Sequence, residues 1–123
     1  MCNSHKHECE CHSGQMRRFI QPCMLLLLYE KPTHGYELME KLRDFGFENG
    51  NPDPGAVYRN LRKMEEEGLV ESKWETEGTG PAKRLYSVTP EGLDILHSWS
   101  VNIRNNIKRL EYFLERYEKN FND

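Results

Sequence analysis

Long hydrophobic runs are missing from this 123-residue chain. The longest, residues 23–29, has seven residues, against the roughly 20 that a helix needs to cross a bilayer. No membrane partner is expected. No secretory signal is visible and none is expected, because the first fifteen residues are polar and rich in Cys and His. The expectation is a cytoplasmic protein whose thiols stay reduced. Catalytic signatures are absent: no Gly-rich phosphate loop, no nucleophile elbow and no HExxH helix. Asp44 and Asp53 have no evident acid–base partners in the sequence. The chain therefore does not read as an enzyme, and no cofactor is required. It also lacks a surplus of positive charge, with a formal net charge of −3. Nucleic-acid binders usually carry a basic footprint. The deficit does not exclude them, since phosphate contact needs local positive charge and not a positive total.

What is present fits one small globular domain. Apolar residues make up 37% and charged residues 30%, enough for a single core with a large polar surface. Residues 1–14 form a polar tail without apolar periodicity. A first helix is predicted over 15–30. Phe19, Ile20, Cys23, Met24 and Leu27 recur at helical spacing, and Leu25, Leu26 and Leu28 make it apolar nearly all round, as for a central core helix. Lys31-Pro32 ends it. Thr33 is expected to cap a second helix over 34–45, with Tyr36, Leu38, Met39, Leu42 and Phe45 as its apolar stripe. Turn chemistry makes 46–52 a loop. Asp53-Pro54 starts a third helix, an N-cap acid followed by proline at the first helical position, and Gly68 stops it. Strands are predicted over 69–76 and 83–88, with Val70 and Trp74 on one side of the first and a turn-prone connection between them. Thr89-Pro90-Glu91 starts a last helix running to about residue 117.

This order of helix, helix, helix, strand, loop, strand, helix is a winged helix-turn-helix: mainly α with a small β-hairpin, plus a long C-terminal helix. Residues 15–89 would be the DNA-binding domain and 90–123 the dimerisation helix. On the last helix, Leu96, Trp99, Ile103, Ile107, Leu110, Leu114, Tyr117 and Phe121 follow at steps of three or four. That period is near 3.5 residues, which makes a seam for another helix. The expected partner is a second copy of the chain.

Double-stranded DNA is the other expected partner. The third helix would lie in the major groove. Its outer face carries Tyr58, Arg59, Arg62 and Lys63, with no acid between Pro54 and Met64. Glu65, Glu66 and Glu67 sit at its far end, away from an N-terminal entry into the groove. The hairpin adds Lys83 and Arg84 beside a glycine-rich tip. His34, Gly35 and Tyr36 offer free backbone N–H groups and a phenol to a phosphate. Singly these are ordinary solvated residues; their recurrence on three elements that a winged helix brings together carries the reading. Two alternatives stay open: a winged-helix protein-interaction module without a DNA role, and a metal carrier acting through the tail. The tail holds Cys2, His5, His7, Cys9, Cys11 and His12, a donor set that suits zinc or another borderline or soft transition metal. A polar tail with only opportunistic affinity is the other reading of that stretch, since its spacing is looser than that of a folded zinc module.

Three blocks resemble the PadR family of winged-helix regulators: Pro32-Thr33-His34-Gly35-Tyr36-Glu37-Leu38; Pro54-Gly55-Ala56-Val57-Tyr58 with Leu61 and residues 64–70; and residues 83–92. The resemblance implies a homodimeric repressor of the short type with a single C-terminal helix. It implies phosphate contacts from His34, Gly35, Tyr36 and Tyr58, base contacts from the third helix around Pro54, Gly55, Arg59, Arg62 and Lys63, and a wing bearing Lys83 and Arg84. Arg59 departs from the family, which often has proline there. Multidrug-sensing members stack an aromatic of this last helix against flat ligands, and Ser98-Trp99-Ser100 looks similar. Trp99 is accordingly a candidate for a planar effector, with a packing role as the alternative.

Overall fold

A computed structural model describes residues 19–46, 53–75 and 80–121. Helix α1, Ile20–Glu30, is the centre of the core, with Cys23, Met24, Leu25 and Leu28 almost fully enclosed. It ends where proline requires, because Lys31 adopts extended geometry (φ −165°, ψ 128°). Residues 15–18 of the expected first helix lie outside the described residues.

Thr33 does not cap the second helix. It forms a two-residue strand with His34 (β1, Thr33–His34). Its buried hydroxyl donates to the Lys31 carbonyl at 2.6 Å. Pairing with a strand some fifty residues later overrides the local capping preference: Thr33 lies opposite Tyr86 and His34 opposite Leu85. Helix α2 is therefore Gly35–Leu42, followed by one 3-10 turn, Arg43–Phe45. Leu38 and Leu42 are its buried residues and Met39 and Phe45 pack against the core, but Tyr36 is exposed. Leu38, Met39 and Leu42 already fill the face that meets α1 and α3, which leaves Tyr36 at the helix start looking outward.

Helix α3, Pro54–Glu66, begins as its cap chemistry dictates. Asp53 accepts from the Gly55 N–H at 3.3 Å, and Pro54 opens the first turn. Val57, Leu61 and Met64, one helical face, are fully buried. Gly68 closes it with φ +81°. The Leu69 N–H reaches the Met64 carbonyl at 2.8 Å and the Gly68 N–H reaches Glu65 at 3.1 Å, the paired bonds of a Schellman stop.

Strands β2 (Val70–Glu75) and β3 (Lys83–Val88) pair antiparallel, Val70 with Val88 through Glu75 with Lys83, in a sheet of order β1-β3-β2. Val70 and Trp74 share a side of β2, but only Val70 is buried. The hairpin runs out past the core and carries Trp74 into the open. The final helix α4 spans Pro90–Phe121, four residues beyond the expected end. Phe113, Tyr117 and Phe121 stack along it at centroid distances of 6.3 and 4.9 Å, which supports the extra turn.

Thr89 joins the α3 stop to the α4 start: its hydroxyl donates to the Gly68 carbonyl at 2.6 Å and accepts from the Gly92 N–H at 3.1 Å. Gly92 is buried against this joint. A Cβ there would collide with the Leu69 carbonyl oxygen and come within 2.7 Å of Val88 Cγ2. Backbone cannot yield as a side-chain tip can, so Gly92→Ala is expected to cost about 3 kcal/mol, near the top of the overpacking range. The melting temperature should fall by roughly 10 °C in thermal unfolding; an unchanged melt would mean that α4 does not dock through this glycine.

Candidate nucleic-acid interface

The turn at 33–36, helix α3 and the β2–β3 hairpin meet around one cleft of about 940 Å³. His34, Gly35 and Tyr36 form one wall, Tyr58 and Arg62 a second, and Lys83 and Arg84 a third. Gly35 makes the junction between the first two. A Cβ there would stand 2.7 Å from Tyr58 Cε1, so its absence lets the phenol ring lie on the start of α2.

The basic residues of α3 divide between two faces. Tyr58 and Arg62 are four apart and border the cleft. Arg59 and Lys63 are exposed but do not line it. Arg59 folds back toward the helix start, with Nη2 3.8 Å from Asp53 Oδ2 and Nη1 close above Gly55. The single crowded face read from the sequence is thus two adjoining ones, since residues 59 and 62 sit about 60° apart around the axis. Pro54 and Gly55 lie exposed at the tip of the same helix.

Acids enter this surface where the sequence placed none. Glu65 is not held away from it. It lines the cleft, accepts from Ser72 Oγ at 2.7 Å and stands 3.9 Å from Arg84. His34 lies between two carboxylates, with Nε2 2.7 Å from Glu75 and Nδ1 3.3 Å from Glu37. These partners come from three different elements. Only His34–Glu37, three residues apart, was open to sequence reasoning. Trp74 and Tyr86 also face the cleft. Burial pushes the Tyr86 phenol pKa up, against the opposing pull of Arg84, so the ring stays neutral.

Trp99 lies elsewhere, on an apolar groove of about 460 Å³ between α1 and α4. Phe19, Leu26, Phe45, Leu96 and Ile103 share the lining, and His97 borders it. Cys23 also lines this groove, but burial pushes its thiol up to about 12, which keeps it protonated and unreactive. Along the seam, Leu96 is half-buried against the core, Trp99 and Ile103 are half-buried on the groove, and Ile107, Leu110, Leu114 and Tyr117 are exposed. Cys2, His5, His7, Cys9, Cys11 and His12 lie outside the described residues. Among the described residues no cluster of three His, Cys, Asp or Glu side chains could hold a metal, and no helix is long and apolar enough to cross a membrane.

A family model described as the transcriptional regulator PadR-like family matches residues 24–98. The chain is similar to a solved protein of unknown function described as a potential transcriptional factor, at 34% identity and a TM-score of 0.75 over 85% of this chain and 92% of that one. It is similar to a PadR-like regulator from Bacillus cereus at 27% identity and a TM-score of 0.70, over 81% of this chain and 96% of that one. Among curated proteins it resembles the negative transcriptional regulator PadR of Bacillus subtilis, 24% identical over 84 residues. That match covers 68% of this chain and 46% of the relative, so the chain spans less than half the relative's length. Bacillus subtilis PadR has also been solved in complex with operator DNA, and there the fold matches with a TM-score of 0.60 over 68% of this chain and 48% of that one.

Proposed function

Because the chain belongs to the PadR-like family of transcriptional regulators, we propose that it is a sequence-specific, homodimeric repressor that binds an operator duplex and is released by an effector. The observation that carries this reading is the convergence of the 33–36 turn, α3 and the hairpin on one cleft. In this arrangement α3 enters the major groove. Arg59, Lys63 and the N-terminal tip at Pro54 and Gly55 approach base edges, Tyr58 and Arg62 follow the adjoining backbone, and Lys83 and Arg84 meet it from the wing. His34, Gly35 and Tyr36 supply the phosphate contacts of the turn. The cleft carboxylates do not oppose this strongly. A partly exposed, long pair such as Arg84–Glu65, at 3.9 Å, holds about 1 kcal/mol. A phosphate can displace them at little cost.

A two-fold axis along the exposed seam of α4 would set two copies of α3 one helical turn of DNA apart, about 34 Å. The groove beside Trp99 is large enough for a drug-sized apolar compound, and a planar ligand there would press on α1 and α4 and alter the spacing of the two reading helices. The tail donors are a second effector element: zinc held by the Cys and His residues at 2–12 would sit on the chain that leads into Phe19, which lines that groove.

An electrophoretic shift with DNA from upstream of the protein's own coding region tests both halves. Retardation stronger than for a mixed-sequence duplex is expected, with affinity changed by zinc, by a chelator, or by a planar apolar compound. Equal retardation of both duplexes would remove sequence-specific repression. Insensitivity to all three additions would remove the effector.

A further inference from the structure

Trp74 serves no core. It sits at the far end of β2, 61% exposed, beyond the point where the hairpin leaves the hydrophobic interior. Its indole nevertheless lines the cleft between α3 and the wing. In the strand register it lies opposite Arg84, whose guanidinium carbon stands 5.3 Å from the ring centroid. That is cation–π distance, and it favours holding the flexible arginine over the indole. Glu65 approaches that guanidinium only to 3.9 Å, and the Tyr86 phenol also interacts with it. Arg62 and Lys83 flank the same space.

We infer that Trp74 is a DNA contact: the cleft takes the sugar–phosphate backbone of one strand of the duplex read by α3, with the Trp74 indole packed on a deoxyribose and Arg84, held on that indole, paired to the neighbouring phosphate. The inference rests on the operator-binding reading above. A nucleic-acid backbone alternates apolar sugars with anionic phosphates, and the cleft sets aromatic side chains (Trp74, Tyr58) among cations (Arg62, Lys83, Arg84) that outnumber its two carboxylates, Glu37 and Glu65. Tryptophan and arginine are also the side chains that concentrate binding energy where a partner excludes water. When a phosphate arrives, Arg84 exchanges Glu65 for it while staying stacked. The indole thus prepays the ordering of the arginine, which would otherwise be lost on binding. Because sugars and phosphates are common to all sequences, the contact strengthens binding without reading bases.

The chain has only two tryptophans, so 5-fluorotryptophan labelling gives two fluorine resonances in the intact protein, and Trp74→Phe assigns them. The probe is a mixed-sequence duplex of about 30 base pairs, enough to span two half-sites, at low salt. On titration the Trp74 resonance should shift. Trp74→Ala should weaken duplex binding about tenfold with an unchanged salt slope, Trp74→Phe should retain most of it, and Arg84→Ala should lower the slope by about two, one phosphate in each half-site. A Trp74 signal that stays in place while the duplex binds, together with Trp74→Ala affinity within twofold of wild type, overturns the inference and leaves operator binding intact. Tighter binding of the isolated single strand also overturns it, because the indole would then be a base-stacking platform. Failure of the wild type to bind any duplex overturns the operator-binding reading and this inference together.

Discussion

Arg59→Glu combined with Arg62→Glu is expected to abolish operator binding, lowering affinity by about a thousandfold or more while leaving the fold intact. Each reversal lowers the charge by two, so a subunit passes from −3 to −7, and the new carboxylates face phosphates across a short gap. Like charges set against each other at an interface cost several kcal/mol, and the counterion release from the lost contacts disappears as well. The folded state has little to lose. Both side chains are exposed, and the pair between Arg59 and Asp53 is a 3.8 Å contact with both partners 68% exposed, worth about 0–1 kcal/mol at most. Melting should therefore stay within a few degrees of wild type. The single variants should differ in character. Arg62 borders the cleft beside Tyr58, so Arg62→Glu should weaken all duplexes alike. Arg59 sits near the α3 tip, so Arg59→Glu should cost the operator more than a mixed sequence. A gel shift with both duplexes reads this directly. Retained operator binding in the double variant would move the DNA surface off α3. A protein-interaction module would show the opposite pattern, losing nothing from its partner under the same substitutions.

How much of this surface was legible in the sequence depends on how local each cause is. The starts at Asp53-Pro54 and Thr89-Pro90 and the stop at Gly68 are written within four or five neighbouring residues, and the structure places them where the residues say. Thr33 misled because its neighbours favour capping, while its actual partner, Tyr86, lies on a strand fixed only by the tertiary fold. Tyr36 misled for another reason. Periodicity tells which side of an element a residue occupies, but it does not tell how far the core extends along that side. Val70 and Trp74 share a side, yet the core covers only the first. Glu65 was hidden because its partners, Ser72 and Arg84, reach it from β2 and β3. Gly92 was visible as part of a family block, but the reason for it, the Leu69 carbonyl against its α-carbon, exists only once α4 docks.

Leu110→Asp with Leu114→Asp is expected to convert the proposed dimer to monomers, raising its dissociation constant by more than about a thousandfold. From residue 104 onward every described residue of α4 is exposed, so the C-terminal half of a helix ~48 Å long finds no cover within its own subunit. Its exposed apolar residues include Leu110 at 64%, Leu114 at 52% and Phe121 at 72%. A contiguous patch of this kind marks an interaction site on a soluble protein. Burying each leucine at a dimer seam contributes about 1.5–3 kcal/mol, the two-fold axis counts each substitution twice, and an aspartate left in the seam adds a desolvation cost. The subunit core is untouched, because Met24, Leu28, Leu38 and Leu61 lie in other elements. Leu96, Trp99 and Ile103 would be poorer choices, since they also pack within the subunit. Sedimentation should show a folded monomer, and an unchanged dimer would place the two-fold axis elsewhere. The DNA readout separates this variant from the charge reversal. A monomer keeps its own α3 contacts, so it should still bind a single half-site. It loses the effective concentration that links two half-sites, and the slope of log affinity against log salt should fall to about half the wild-type value, because half as many phosphates are neutralised.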